Sequence, residues 1–348
     1  MSDRGAGMRA DIAEQPAMYE RLLDERDRVA EIAREIARRR PRHVLLTARG
    51  TSDHAALYGA YLTEIRLNIP AGLVSPSTIT VYGARPDLRD CLVIAVSQSG
   101  GSPDLVNVIR VAREQNATTL AVTNTPDSPL ATVAELSLDI AAGPERAVAA
   151  TKTYTAQLLT LAMLIEGIRT GDGSLSAAEE RALRALPPLA AAVLADDTVI
   201  ELAGRYRFAS QLVTTGRGYA YPTAREAALK LMETSYLAAL SFSGADLLHG
   251  PVAMTDTDVP VLAIVGAGPA GESMRDVLAT VARRRADLVV VGPAKVPGAR
   301  HVPSPEVDER HSPMLDILPL QRLALALSLA RGENPDTPRD LRKVTATL

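Results

Sequence analysis

Three short apolar runs recur in the same order at a nearly constant spacing, and this limits the possible folds more than any other feature of the chain. Ala48-Arg49-Gly50-Thr51 returns as Gly216-Arg217-Gly218-Tyr219, 168 residues later. Val96-Ser97-Gln98-Ser99 returns as Val265-Gly266-Ala267-Gly268 at an offset of 169, and Ala121-Val122 returns as Val289-Val290 at 168. Any one pair is an easy coincidence; three in register point to two copies of one unit. The runs also say what the unit is. Val44-Leu45-Leu46-Thr47, Leu92 to Val96 and Thr119-Leu120-Ala121-Val122 are apolar throughout and are separated by charged helical stretches. Strands without polar alternation are buried on both faces of a parallel sheet. The predicted fold class is therefore α/β, with two tandem domains, each a parallel sheet flanked by helices on both faces.

The stretch Thr170-Gly171-Asp172-Gly173-Ser174 interrupts the pattern, and a capping box, Ser176-x-x-Glu179, announces a new helix after it. Domain one is assigned to residues 1–172 and domain two to 173–348. A chain of this length suits two hydrophobic cores better than one.

Charge and cysteine usage exclude several function classes. The formal net charge is −3 and the longest basic run is Arg38-Arg39-Arg40, at the end of a helical stretch where cations suit the dipole. Nucleic acid is not an expected partner. Cys91 is the single cysteine, so neither an internal disulfide nor a cysteine cluster for zinc is expected, and no metal site is assigned. It opens an apolar run, which suits a buried, inert thiol. There is no signal-peptide core, and no stretch is read as reaching the roughly 18 apolar residues of a membrane span. A cytoplasmic protein without a membrane partner is expected.

Open parallel sheets bind ligands beyond the carboxyl ends of their strands. In the first copy two such ends carry hydroxyls: Gly50-Thr51-Ser52, and Ser97-Gln98-Ser99-Gly100-Gly101-Ser102. The second loop runs into a predicted helix over 103–116, with Ser102 as N-cap and Pro103 at its first position. Backbone N–H groups, the positive dipole end and hydroxyl donors converge there, which suits a phosphate dianion. A cap alone needs only Ser102 and leaves the other hydroxyls unexplained. The second copy has lost those hydroxyls: its loop reads Gly266-Ala267-Gly268-Pro269. Gly266-x-Gly268-x-x-Gly271 formally matches a dinucleotide fingerprint, but the next strand ends in Gly292-Pro293 rather than an acid for a ribose hydroxyl. No cofactor is assigned.

Along Arg225 to Tyr236, the residues Glu226, Lys230 and Glu233 stand at i, i+4 and i+7 and share one helix face. A surface helix with one Glu–Lys pair would have the same spacing. The apolar residues cover too much of the remaining surface for that, so the stripe is expected to face a cleft, where a carboxylate can shuttle a proton. His249, expected just before a strand, and Lys343 are left undecided by spacing and composition.

These motifs together resemble the double sugar-isomerase (SIS) family, meaning the isomerase module of glucosamine-6-phosphate synthase and stand-alone enzymes that deaminate or isomerise aminosugar phosphates. The resemblance starts at Met8 with Ile12-Ala13-Glu14-Gln15-Pro16. It runs through Arg49-Gly50-Thr51-Ser52, Ser97-Gln98-Ser99-Gly100, Val148-Ala149-Ala150-Thr151-Lys152, Glu226 to Glu233, His249-Gly250-Pro251 and Pro338-Arg339-Asp340-Leu341-Arg342-Lys343. It implies two tandem SIS domains. It implies that Gly50, Thr51, Ser52, Ser97, Gln98, Ser99 and Ser102 bind the 6-phosphate of a hexosamine, and that Val148 offers backbone contacts to the sugar. Glu233 is then the base that carries a proton between C1 and C2, with Lys230 beside it, His249 opens the ring from a neighbouring subunit, and Lys343 lies near the carbonyl carbon. A homodimer with a shared site follows from the resemblance.

The synthase also carries a glutaminase domain with a cysteine nucleophile. Here residue 2 is Ser and Cys91 stands alone, so no glutaminase activity is expected. Departures around Gly101, Ala245-Asp246 and Leu248 fall near the sugar rather than the phosphate. The expected activity is an aminosugar 6-phosphate isomerase and deaminase. Two alternatives stand beside it: a lyase that expels water from N-acetylglucosamine 6-phosphate after the same C2 proton is removed, and a non-catalytic sugar-phosphate sensor.

Overall fold

The computed structural model describes residues 4–342, and among them ten strands form two parallel sheets of five. The first holds β1 (His43–Thr47), β2 (Ala71–Leu73), β3 (Cys91–Ser97), β4 (Thr118–Thr123) and β5 (Leu136–Asp139), in the order β2-β1-β3-β4-β5. The second holds β6 (Gln211–Gly216), β7 (Ala238–Ser243), β8 (Val261–Ile264), β9 (Leu288–Gly292) and β10 (Arg300–Pro303), in the order β7-β6-β8-β9-β10. The two orders are the same topology. β1 answers to β6, β3 to β8 and β4 to β9, the three pairs that the sequence period joins.

Burial explains why these runs lack alternation. All seven residues of β3 are buried. Cys91, Val93 and Ala95 pack with Leu105, Ile109 and Ala112 of the helix Pro103–Glu114, while Leu92, Ile94 and Val96 bury on the opposite face. Burying a Val, Leu or Ile side chain contributes about 1.5–3 kcal/mol, so both faces favour apolar residues up to Ser97 at the carboxyl end of the strand. In the second sheet Val261 and Ala263 pack with Val277, Leu278 and Val281 of the helix Arg275–Arg283. The helix Ala220–Ser235 packs on β6 and β7 and against the helix Pro313–Ala330.

That last helix corrects one reading of the sequence. It is 18 residues long and apolar enough to cross a bilayer, yet 72% of it is buried inside the fold. Packed on both its helical neighbour and the interior, it is a core helix.

The two compact units are not contiguous in sequence. The unit of the first sheet takes Ala17–Pro144 and Lys152–Arg184; that of the second takes Ala185–Leu341, Glu145–Thr151 and the chain up to Pro16. Within the second unit, the helix Ala6–Ala13 is capped by Asp336, whose carboxylate accepts from Gly7 N–H at 3.0 Å and Met8 N–H at 2.8 Å. Ser176 caps the helix Ala177–Arg184 as expected: its Oγ accepts from Glu179 N–H at 3.1 Å.

Candidate active site

In the first sheet the strand order reverses between β1 and β3, and a crevice of that kind lies beyond the carboxyl ends of the strands. β1 leads through Arg49 and Gly50 into the helix Thr51–Leu62, and β3 leads through Gln98 to Ser102 into the helix Pro103–Glu114. Because the strands pair side by side, with Thr47 opposite Ala95, both hydroxyl-bearing loops meet at this crevice. Arg49 Nε donates to Asp104 Oδ2 at 2.7 Å and joins one loop to the other. Asp104 is only 1% exposed, so the guanidinium also neutralises a buried charge at the mouth of the crevice.

The loop after β3 is shaped by its own serines. Gly100 N–H donates to Ser97 Oγ at 3.1 Å, and Gly101 N–H donates to Ser99 Oγ at 3.3 Å. A hydroxyl that accepts in this way keeps its proton to donate elsewhere. Ser102 holds the N-cap position, but its hydroxyl makes no capping bond, which corrects the capping expected from sequence. Asp104 is the reason: its Oδ1 takes the Leu105 N–H at 2.9 Å, one of the donors a cap would use. Gly100 is required twice over. Its φ is +61°, and a Cβ there would lie 2.1 Å from Ser128 Oγ. Ser52 is buried, and its Oγ accepts from Gln157 Nε2 at 2.9 Å. Thr51, half-buried, opens its helix directly after Gly50, whose φ is +56°. The result is a hydroxyl-lined turn, with two helix starts behind it, suited to an anion with several oxygens.

The matching loop of the second sheet is filled from within. Glu309 Oε1 accepts from Gly271 N–H at 3.0 Å, and a Cβ on Gly268 would lie 2.3 Å from Glu309 Cδ. The glycines that resemble a dinucleotide fingerprint make room for the chain's own carboxylate. Glu309 could not be found from the sequence because it lies 38 residues beyond Gly271.

On the helix Ala220–Ser235 the polar stripe is real, but most of it is inside. Glu226 and Lys230 are fully buried, and Glu233, at 22% exposure, is the member that reaches outward. Lys230 Nζ lies 3.4 Å from Glu226 Oε1 and donates to the Glu233 carboxylate. Burial opposes the charge on Lys230, but Glu226 and Glu233 outweigh it and leave its pKa above the ordinary lysine value. The sequence placed the three on one face; that Glu226 supports the ammonium from the interior side was not legible.

His249 ends the short helix Gly244–Leu248, exposed, with its N–H donating to Asp246 O at 3.0 Å. It precedes a 3-10 turn, Pro251–Met254, and not the strand expected from sequence. Gly250, at φ +131°, and Pro251 turn the chain too sharply for a strand to begin. Val148 is half-buried, and its N–H donates to Asp336 O at 3.4 Å. Lys343 lies outside the described residues. Cys91 is buried in β3, and burial pushes its thiol pKa up, as befits an inert core cysteine. Thus β1 and β3 bring Thr51, Ser52, Ser97, Gln98, Ser99 and Ser102 to one crevice, and one helix brings Glu226, Lys230 and Glu233 into contact.

A doubly wound sheet with a hydroxyl-lined turn at its switch point defines a class of α/β proteins that take their ligands beyond the carboxyl ends of the strands. The chain matches the SIS domain over residues 38–167 and 206–331, and it belongs to the SIS domain family. It is 36% identical to the isomerizing glutamine–fructose-6-phosphate aminotransferase of Methanothermobacter thermautotrophicus over 97% of its own length, and spans 56% of that relative. Among solved structures, the C-terminal domain of glucosamine-fructose-6-phosphate aminotransferase from Francisella tularensis superposes with a TM-score of 0.88, at 24% identity, covering 97% of this chain and 99% of that one. A candidate phosphosugar isomerase from Silicibacter pomeroyi is 35% identical, with a TM-score of 0.80 over 95% of this chain and 99% of that one. The two matched stretches hold one sheet each, β1 to β5 in the first and β6 to β10 in the second.

Proposed function

We propose that this chain is an aminosugar 6-phosphate isomerase and deaminase that turns glucosamine 6-phosphate into fructose 6-phosphate and ammonia. The observation that carries the reading is the buried ammonium of Lys230 held between two carboxylates, only one of which, Glu233, reaches outward. In this reading Thr51, Ser52, Ser97, Gln98, Ser99 and Ser102 hold the phosphate. His249 assists proton transfer at the ring oxygen as the sugar opens. Glu233 removes the C2 proton of the open chain, giving an enolamine, and returns a proton to C1. The resulting C2 imine takes up one water and releases ammonia, leaving the ketose. Lys230 fixes and neutralises Glu233, and Lys343 steadies the charge that develops on the carbonyl oxygen. General acid–base groups of this kind each contribute about 10²–10⁴-fold. These are proton transfers and a hydrolysis, and the route does not call on the thiol of Cys91. The active assembly in this reading is a homodimer.

One observation favours a second outcome. Leu248, directly before His249, is 39% exposed, and an apolar neighbour suits the acetyl group of an N-acetylated substrate. There the amide nitrogen leaves poorly, and the C2 carbanion expels the C3 hydroxyl as water instead. The test is a panel of free and N-acetylated hexosamine 6-phosphates, read by mass spectrometry and an ammonia assay. The expected result is ammonia with a product of fructose 6-phosphate mass from glucosamine 6-phosphate. A product lighter by one water from the acetylated sugar, without ammonia from the free one, would select the lyase. Tight binding with no turnover of any sugar would make the protein a sensor.

A further inference from the structure

The loop Glu145–Thr151, which carries Val148, is fixed by one distant carboxylate, by one of its own and by a distant main-chain carbonyl. Asp11, on the helix Ala6–Ala13, is fully buried, and its Oδ2 accepts from Arg146 N–H at 2.7 Å and Ala147 N–H at 3.0 Å. Its Oδ1 accepts from Arg146 Nη1 at 2.8 Å. Inside the loop, the N–H and the hydroxyl of Thr151 both donate to Glu145 Oε1 at 3.1 Å. The circuit closes through Asp336. Its carboxylate caps the helix that bears Asp11, and its carbonyl accepts from Val148 N–H.

This arrangement exceeds what a buried acid needs. One guanidinium would balance the charge of Asp11. Two successive backbone amides on a single carboxylate oxygen also fix the direction of the main chain on either side of Arg146. Val148 is the next residue but one, and its own amide is tied to Asp336. The Asp11 carboxylate therefore acts on the loop backbone directly, whereas Asp336 reaches it through its main-chain carbonyl and through its carboxylate's hold on the helix that bears Asp11.

We propose that Asp11, with Asp336 behind it, is a positioning residue that holds the backbone at Val148 in the shape that receives the sugar. The inference rests on the role given to Val148 in the functional reading, and it adds a cause for that role. A loop held in advance loses less freedom when ligand arrives. The phosphate, held by the hydroxyl loops, should be indifferent to Asp11.

The test is calorimetric titration of the full chain with two probes, glucosamine 6-phosphate and inorganic phosphate, for the parent, Asp11→Asn and Asp336→Ala. Asp11→Asn is expected to weaken sugar-phosphate binding about tenfold, which is roughly 1.4 kcal/mol, with inorganic phosphate unchanged. Asp336→Ala is expected to act in the same direction, and it carries the test alone if Asp11→Asn does not fold. Equal losses for both probes, or no loss for either, would overturn the inference and leave the functional reading standing. A parent that binds inorganic phosphate but not the sugar phosphate would remove the functional reading, and this inference with it.

Discussion

Replacing Lys230 with Met keeps the length of the side chain and deletes its charge. Glu226 is then left fully buried without the ammonium that lies 3.4 Å away, while Glu233 keeps some access to water. Removing one partner from a buried pair costs about 3–5 kcal/mol. In a unit of this size each kcal/mol moves the melting temperature by roughly 2–4 °C, so a fall of roughly 6–20 °C is expected.

In the parent, Lys230 has a raised pKa, so its stabilisation is complete below the ordinary lysine value of about 10.4 and fades only as pH climbs past it. Adding Glu226→Gln to Lys230→Met should restore much of the loss, a non-additivity of about 2 kcal/mol. Scanning calorimetry of the parent, both single variants and the double variant at neutral pH, with the parent also followed above the ordinary lysine value of about 10.4, checks all of this. A Lys230→Met protein that melts with the parent at neutral pH, or a strictly additive double variant, would refute the reasoning.

Gly100→Ala should distort the hydroxyl-lined turn proposed to hold the phosphate, since its methyl group would sit 2.1 Å from Ser128 Oγ in a backbone at φ +61°. The left-handed strain alone is about 1–2 kcal/mol; inorganic phosphate affinity by titration should fall at least about tenfold, with the circular dichroism of the fold retained. Asp316, fully buried on the helix Pro313–Ala330, has its pKa pushed up to about 6 by burial, against hydrogen bonds from Ser304 and Ser312. Its contribution is therefore present below the ordinary aspartate value near 3.9 and lost as pH rises through about 6. Asp316→Asn should flatten that part of the stability profile and raise the melting temperature at neutral pH, by an amount worth on the order of 2 kcal/mol.

The central strands were readable because burial on both faces writes an uninterrupted apolar run. β1, β3 and β4, with their counterparts β6, β8 and β9, were found in this way. The strands that escaped are β2, β5, β7 and β10, and all four are sheet edges. β2 is three residues with a central Gly72, and β10 carries Arg300, His301 and Pro303, so neither resembles a core strand. Edges need fewer apolar residues because one side is unpaired.

The hydroxyls of the turn after β3 were visible because they cluster at strand ends. Arg49–Asp104, Ser52–Gln157 and Gly271–Glu309 were not, because the partners lie 55, 105 and 38 residues apart. The non-contiguous units were hidden for the same reason. Asp11 and Asp336 bring the helix Ala6–Ala13 into the unit of the second sheet through contacts that no local pattern announces.

The central claim is that Glu233 moves the C2 proton of a phosphorylated aminosugar. It is tested most directly by incubating glucosamine 6-phosphate with the parent and with Glu233→Gln in deuterated water. The C2 proton is followed by nuclear magnetic resonance and deuterium in the product by mass spectrometry. The account expects the parent to release the C2 proton and to place deuterium at C1 of part of the fructose 6-phosphate. Glu233→Gln should be slower by about 10²–10⁴-fold while still binding inorganic phosphate. Exchange by Glu233→Gln at the parent's rate, or conversion with the C2 proton retained, would contradict it.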